Sequence, residues 1–145
     1  HIQRNNVSVK VVKVEEIYNE FSSGTQDISA IRDFMRMLYN KAGSEQTLLP
    51  EYLLLFGDAS YDYKDRVTNN TNYVPTYESP ATLNPIATFC TDDYFGCLDI
   101  TEGGSMTDNN DFIDVAIGRL PVRNVSEAQD VINKIIVYQS PASLG

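Results

Sequence analysis

Most of the side chains in this sequence that could do chemistry are carboxylates, and they occur in groups. The groups are Asp58 with Asp62, Asp92 with Asp93, and Asp108 with Asp111 and Asp114. Two converging carboxylates can act as general acid and base. Nothing in the sequence shows that any pair converges, and ion pairing with Arg119 or Arg123 is the commoner use of such residues. We therefore assign no acid–base pair from the sequence.

Nucleophilic catalysis lacks its usual parts in this chain. A Cys or Ser nucleophile needs a base within hydrogen-bond reach, usually a histidine that a third group orients. The candidate nucleophiles are Cys90 and Cys97, and the single histidine is His1, where a side chain is poorly placed to be held rigidly. Glycine-rich phosphate loops of the two common types are also absent. The sequence therefore predicts no catalytic residue and no bound nucleotide.

One glycine-containing loop offers oxygen ligands for a cation. Asp99, Glu102 and Asp108 lie in it, and calcium prefers several hard oxygens, backbone carbonyls included. Their spacing matches no EF-hand loop, so a calcium site and a solvated acidic loop both stay open and no metal ligand is assigned. Two cysteines and one histidine cannot close a zinc site. We interpret Cys90 and Cys97 as small buried apolar residues, with a disulfide between them as the alternative.

Length and charge limit the classes of partner. The chain has 145 residues, which is the size of one domain, and its net charge is −9 at pH 7. A negative charge of this size repels phosphate backbones and anionic membrane surfaces. No apolar run approaches the roughly 20 residues of a membrane helix. We expect neither nucleic-acid binding nor membrane insertion by this segment.

The run Tyr-Leu-Leu-Leu-Phe-Gly-Asp at residues 52–58 predicts the central strand. A strand with no polar face must be covered on both sides, as in a parallel sheet with helices on each face. The predicted strand covers residues 52–57 and ends at Gly57. Asp58 then opens a loop at the carboxyl end, where α/β sheets bind ligands. We expect Asp58 to order this loop rather than to perform chemistry.

The remaining periodicity predicts one small α/β unit over residues 1–145. Alternation predicts a first strand at residues 7–14, and a mostly apolar run predicts a third at 112–118. Apolar residues three and four apart predict a helix at 27–42 that Asp27 caps. A capping box formed by Ser126 and Gln129 begins a last helix at 126–139. Its predicted buried face contains Val131, Ile132, Ile135 and Ile136.

Loops make up much of the rest of the chain. Residues 15–21 suit a single helical turn, and residues 58–88 show no periodicity, so we predict a tyrosine-rich connection there. Residues 88–98 suggest two very short strands around an acidic turn. The loop residues expected nearest a cleft or an interface are Asp58, Tyr61, Asp92, Asp93 and Tyr94.

Five segments, in order along the whole chain, resemble the gingipain family of cysteine peptidases, which has a caspase-like fold. They are VEEIYNEFSSG at 14–24, AIRDFM at 30–35, YLLLFGD at 52–58, TDDYFG at 91–96 and IGRLPV at 117–122. The resemblance is strongest to the sortase-like PorU branch of type IX secretion systems. It implies a structural subdomain of an endopeptidase that processes secreted proteins at the cell surface or outer membrane.

The resemblance also implies where the chemistry is. The catalytic His and Cys of the family belong to a second subdomain, C-terminal to the segment that this chain resembles. We therefore expect that the chain does not cleave by itself, and that its partners are that catalytic subdomain and, through the parent protein, protein substrates. Whether the parent is an active enzyme stays open.

The resemblance further implies that a first strand and its helix precede residues 7–14, with residues 1–6 as the end of that helix. The absent strand would lie between residues 7–14 and 52–57, and its absence would expose strand edges. We expect either a pairing that closes the gap or strand exchange between chains.

Two other functions are compatible with the sequence. One is a non-enzymatic α/β module that binds a protein or another ligand through its tyrosine-rich loop, since tyrosines supply large, fairly rigid contact area. The other is a calcium-dependent adhesion fragment.

Overall fold

The computed structural model describes residues 7–81, 83–107 and 111–140. These described residues form three helices, four strands and two short 3-10 turns. The helices are α1 (Val14–Phe21), α2 (Ile28–Ala42) and α3 (Val125–Tyr138). The strands are β1 (Tyr52–Phe56), β2 (Tyr77–Glu78), β3 (Cys90–Thr91) and β4 (Ala116–Leu120). The 3-10 turns are Gln46–Leu48 and Asp93–Gly96.

Strands β1 and β4 form a parallel pair, with Tyr52 opposite Ala116 and Phe56 opposite Leu120. Strands β2 and β3 form a separate antiparallel pair. The predicted fold class, α/β with a small parallel sheet flanked by helices, is confirmed, and so is the strand predicted at residues 52–57, although the described sheet has two strands and β1 is not central in it. In the described part of the chain β1 pairs only with β4, so the other edge of β1 has no partner there.

The core lies on one face of the parallel sheet. Leu55 packs there with residues of α1 and α2, among them Ile17 and Ile31, and with Phe95 of the second 3-10 turn. Helix α2 begins where Asp27 accepts a hydrogen bond from the Ser29 amide, as its capping role predicted. Two amphipathic helices therefore cover this face, of which the helical pattern predicted α2.

The opposite face of the sheet stays open. Tyr52, Leu54 and Phe56 alternate with the half-buried Leu53 and the buried Leu55 and are 69%, 60% and 44% exposed. The prediction that this strand is covered on both faces is therefore wrong for the described part of the chain. Helix α3 has no buried residue. The predicted buried face of α3 is therefore wrong for this chain: Val131 and Ile135 are half-buried, while Ile132 and Ile136 are exposed. The apolar stripe is present, but the described residues cover it only in part.

The start of α3 also differs from the prediction. Asn124, not Ser126, is the N-cap, and its side-chain oxygen accepts a hydrogen bond from the Glu127 amide at 2.9 Å. Asparagine caps helices as well as serine does, so the helix begins two residues before the position that the Ser126–Gln129 box implied.

The first predicted strand is wrong. Residues 7–13 have no regular secondary structure, and Val14 begins α1. Val12 and Val14 pack against the core, whereas Val11 is 91% exposed. An alternating pattern makes a strand only where a second strand pairs with it, and no described strand does. The expectation for residues 1–6 lies outside the described residues.

Three smaller differences concern one helix and the short strands. The helical segment after Val14 is a two-turn helix, α1, rather than one turn. Strand β4 begins at Ala116, four residues later than predicted, since Phe112 and Ile113 are exposed. Strand β2 lies inside the connection that was predicted to lack secondary structure, and it pairs with β3. The predicted second strand after the acidic turn is absent among the described residues. The acidic turn itself is the 3-10 turn Asp93–Gly96. No helix among the described residues is long and apolar enough to cross a bilayer.

Candidate functional site

Arg119 on β4 and Asp92 beside β3 form a two-pronged ion pair at the carboxyl end of the sheet. Arg119 Nε donates to Asp92 Oδ2 and Arg119 Nη2 donates to Asp92 Oδ1, both at 2.7 Å. The two side chains are only 13% and 22% exposed. Charge-assisted, bidentate pairs of this kind are the strong ones, because the planar fork fits the carboxylate.

The same guanidinium also binds backbone carbonyls from two other segments. Arg119 Nη1 donates to the carbonyls of Gly57 at 2.9 Å and Val74 at 2.7 Å, and Nη2 donates to that of Pro75 at 3.3 Å. The end of β1, the tyrosine-rich connection and the Asp92 turn therefore meet at one side chain. Of the two predicted arginine ion pairs, this one is internal, and the pair of Arg123 with Glu127 at 2.9 Å is exposed.

Asp58 orders the loop that follows β1. Its amide donates to the Val122 carbonyl at 3.0 Å, and its carbonyl accepts from the amides of Tyr73 and Val74 at 3.0 and 3.1 Å. Its carboxylate Oδ2 accepts from the Thr71 hydroxyl at 2.5 Å. These bonds tie both ends of the segment 58–74 to the sheet, as expected for Asp58.

The loop beyond Asp58 is built around a buried carboxylate. Asp62 is 8% exposed, and its Oδ2 accepts from the amides of Arg66 and Val67 at 2.5 and 2.6 Å. Tyr61, next to it, is 73% exposed. Tyr61 lines a shallow depression of about 340 Å³, together with Asp58 and Arg123.

The two remaining predicted site residues lie in the 3-10 turn. Asp93 is exposed and begins the turn. Tyr94 is buried: its ring stacks on Tyr77 with 5.0 Å between centroids, and its hydroxyl lies 3.3 Å from the Ser29 hydroxyl. Asp92 and Asp58 thus serve the architecture, Tyr94 packs in the core, and Tyr61 and Asp93 face solvent. Their closeness to a cleft or an interface stays a prediction.

Arg32 on α2 is a second organising arginine, which the sequence analysis missed. Arg32 Nε donates to the Cys97 carbonyl at 2.6 Å, and Nη2 donates to those of Glu102 at 2.7 Å and Asp99 at 3.1 Å. Its guanidinium also lies 5.2 Å from the Tyr94 ring centroid. Arg32 lies on a mostly polar part of an amphipathic helix, so no local pattern distinguishes it from a solvent-facing residue.

Several oxygens of the loop predicted as a calcium candidate already accept hydrogen bonds within the protein, although the buried Asp111 Oδ2 has no partner among the described residues. The Glu102 carboxylate accepts from the amides of Asp99 and Phe112 at 3.1 and 3.2 Å, and Asp111 Oδ1 accepts from the Gly103 amide at 2.8 Å. Among the described residues, no three His, Cys, Asp or Glu side chains are grouped to hold a metal ion. Asp108, the third candidate ligand, lies outside the described residues.

Calcium is therefore expected to leave the thermal stability of the chain unchanged, because Arg32 already donates to the loop carbonyls. If the chain had a calcium site, a free calcium concentration of 100 times its Kd would add about 2.7 kcal/mol to the free energy of unfolding. For a chain of this size, that energy raises Tm by roughly 8 °C. Differential scanning fluorimetry with millimolar calcium and then with EDTA measures the difference. A saturable rise in Tm of several degrees that EDTA reverses would contradict this prediction and support a calcium site.

Both cysteines are free thiols, so the disulfide alternative is wrong. Cys90 is exposed, contrary to its interpretation as a buried residue, whereas Cys97 is fully buried as expected. Burial raises the pKa of the Cys97 thiol to about 11, with smaller contributions from Glu102 and Asp111. A thiol with such a pKa is protonated at neutral pH, which does not suit a nucleophile.

The raised pKa of Cys97 predicts an alkaline loss of stability. The unfolded thiol ionises near its ordinary pKa of 9.0, while the folded thiol keeps its proton up to about 11. The stabilisation is therefore complete below pH 9 and falls, by at most about 1.4 kcal/mol per pH unit, as the pH rises towards 11. Urea unfolding of wild type and Cys97→Ala between pH 8.5 and 10 measures it. The variant should show the shallower decline, and equal slopes would contradict the prediction.

The chain is similar to a known protein family and to a solved structure. The profile of peptidase family C25 matches residues 1–145. The crystal structure of dimeric latent PorU from Porphyromonas gingivalis superimposes with a TM-score of 0.71 and 31% sequence identity. The match covers 95% of this chain and 14% of the PorU chain, so the chain spans about one seventh of that relative. No curated protein matches the chain.

Proposed function

This chain belongs to peptidase family C25, and from that premise we propose that it is the structural subdomain of a gingipain-like cysteine endopeptidase that processes secreted proteins in type IX secretion. The observation that carries the proposal is the family match over the full length of the chain, with a shared fold. The described residues contain no histidine, and Cys97 is buried and protonated. These features favour a structural role over a catalytic role for this segment.

In this proposal the subdomain buttresses the catalytic subdomain of the same parent chain. Arg119 holds the end of β1, the tyrosine-rich connection and the Asp92 turn in one arrangement, so the loops at the carboxyl ends of the strands have a defined shape. Those loops, which carry Asp58, Tyr61 and Asp93, are the ones we place nearest the cleft or the interface between subdomains. The parent would act outside the cell or at the outer-membrane surface.

The open face of the sheet supports a further contact. Tyr52, Leu54 and Phe56 expose an apolar surface beside the unpaired edge of β1. Two-stranded parallel sheets are stable only when more strands or helices cover them. We propose that a strand of the parent chain, or one exchanged with a second copy, pairs with this edge. The PorU relative is described as a dimer, which is compatible with either arrangement.

Proteolysis tests the proposal at two levels. The isolated chain, incubated with fluorescein-labelled casein, is expected to release no more fluorescence than the Cys90→Ser/Cys97→Ser double variant. The parent protein is expected to cleave, and to keep cleaving when both of these cysteines are replaced. Robust cleavage by the isolated chain that requires either cysteine would overturn the non-catalytic role.

The second candidate is a non-enzymatic module that binds a protein through its tyrosines. Tyr61, Tyr63 and Tyr73 favour it, since they are 73%, 64% and 54% exposed on one segment. A parent without a His and Cys downstream of this segment, and without peptidase activity, would support that module over the peptidase.

A further inference from the structure

The depression at the carboxyl ends of β1 and β4 is formed by the two loops that leave these strands. Backbone bonds extend the pairing past the sheet: the Gly57 amide donates to the Leu120 carbonyl and the Asp58 amide to the Val122 carbonyl, both at 3.0 Å. Asp58 and Arg123 therefore line the same depression, whose volume is about 340 Å³. That volume is at the lower end of the roughly 300–1,000 Å³ of ligand sites, and α/β sheets bind ligands at this end.

The wall of the depression is held in place by side chains that point into the loop. Asn70 Nδ2 donates to the Asp62 carbonyl at 2.8 Å, and Asn72 Oδ1 accepts from the Ser60 amide at 3.2 Å. The buried Asp62 carboxylate accepts two further amides. A ligand that enters would not have to order this loop first, which lowers the entropic cost of binding.

The groups that remain available in the depression are mostly neutral. Within the described residues, the side chains of Thr68 and Asn69 have no hydrogen-bond partner and are exposed, and the Tyr61 ring is 73% exposed beside them. The two charged groups, Asp58 and Arg123, have opposite signs, so the depression favours neither a phosphate nor a cation. Amides and hydroxyls that both donate and accept, beside an aromatic ring, match peptide groups and an apolar side chain.

We propose that this depression binds the main chain of an extended polypeptide, with one apolar side chain of that polypeptide against the Tyr61 ring. Asn69 and Thr68 supply hydrogen bonds to peptide groups, while Val67, which is 50% exposed, widens the apolar contact. The inference rests on the proposed function, in which a polypeptide passes this end of the sheet, and it names the residues of this subdomain that would contact it.

Fluorescence anisotropy with a fluorescein-labelled, uncharged dodecapeptide of alternating apolar and polar residues tests the inference on the full 145-residue chain. We expect saturable binding, which Tyr61→Ser weakens about tenfold because it removes the central aromatic contact. Tyr63→Ser is the matched control: Tyr63 is 64% exposed on the same loop but does not line the depression. The control should bind within twofold of wild type. Both positions are exposed, so neither change should alter folding, which circular dichroism checks.

Three results would overturn the inference. They are no saturable binding by wild type, equal binding by Tyr61→Ser and wild type, or full displacement of the peptide by free glycine and alanine, which would make the depression a small-molecule site. None of these results would contradict the proposed function, because the proposed function is tested by proteolysis with the parent protein. Loss of parent proteolysis together with intact peptide binding would instead favour the non-enzymatic binding module.

Discussion

Replacing Arg119 with alanine is expected to lower the free energy of unfolding by about 3 kcal/mol, because removal of one partner leaves a largely buried charge unpaired. Asp92 is 22% exposed at its side chain, and its carboxylate would lose both of the 2.7 Å bonds it accepts from Arg119. The carbonyls of Gly57 and Val74 would lose their donor as well. Urea unfolding followed by far-ultraviolet circular dichroism measures the change.

Arg123→Ala is the matched control for this experiment. Arg123 also pairs with a carboxylate, that of Glu127, but its side chain is 63% exposed and the pair bridges one turn at the start of α3. Exposed pairs of this kind contribute little to the free energy of unfolding, because solvent screens the two charges. Arg119→Lys should fall between the two, since lysine keeps the charge but cannot fork around the carboxylate. Equal destabilisation by Arg119→Ala and Arg123→Ala would contradict the central role of Arg119.

The Arg119 variant should also change the loops locally. The amides of Tyr73 and Val74 donate to the Asp58 carbonyl, and Arg119 holds the Val74 carbonyl in the same segment. Native-state hydrogen exchange is therefore expected to speed up at these two amides more than in α2. Uniform acceleration across the chain would mean that Arg119 contributes to global stability alone and does not shape the proposed cleft side.

Replacing Phe95 with alanine is expected to cost about 3–5 kcal/mol, the range measured for large aromatic side chains in well-packed cores. Phe95 is 0% exposed and packs with Leu55 of β1 and with helix residues, and its ring contacts that of Tyr94 edge-on at 5.7 Å. The backbone of the turn is held by the Phe95 amide on the Asp92 carbonyl at 3.0 Å. Loss of the ring therefore leaves a cavity between the sheet, the helices and the Asp92 turn.

Phe112→Ala controls for the loss of a phenylalanine as such. Phe112 is 67% exposed, so its removal should change the free energy of unfolding by no more than about 0.5 kcal/mol. Thermal and urea unfolding of both variants gives the comparison. If Phe95→Ala proved as mild as Phe112→Ala, the turn Asp93–Gly96 would not be part of the core as described.

The local signals in the sequence were reliable where burial follows from periodicity. Apolar residues at helical spacing and the cap Asp27 predicted α2, and its residues Ile31 and Met35 are buried. A run without polar residues predicted β1, which forms a parallel pair with β4. The helical pattern states which face of α2 must leave water, and the hydrophobic effect buries that face wherever the neighbours come from. The β1 run predicted two buried faces, and one of them is exposed.

The same reasoning failed where a pattern needs a partner. Residues 7–14 alternate like a strand, yet no described strand pairs with them. The stripe on α3 is apolar, yet Ile136 is 61% exposed. A pattern can record that a surface is to be covered, but it does not say which segment covers it or whether that segment belongs to the same stretch of chain.

The sequence by itself determined the α/β class, the strand β1, the main helix and, through five short segments, the peptidase family to which the chain belongs. Only the tertiary structure decided that three of those segments meet at Arg119, that Arg32 holds the loop carbonyls, and that Asp58 and Arg123 share one depression. The physical reason is the separation along the chain between the residues that interact. Helix and strand patterns depend on neighbours a few positions away, whereas these contacts join residues 62 and 27 positions apart, as for Arg119 with Gly57 and with Asp92. Such contacts exist only after the packed core has brought the strand ends together.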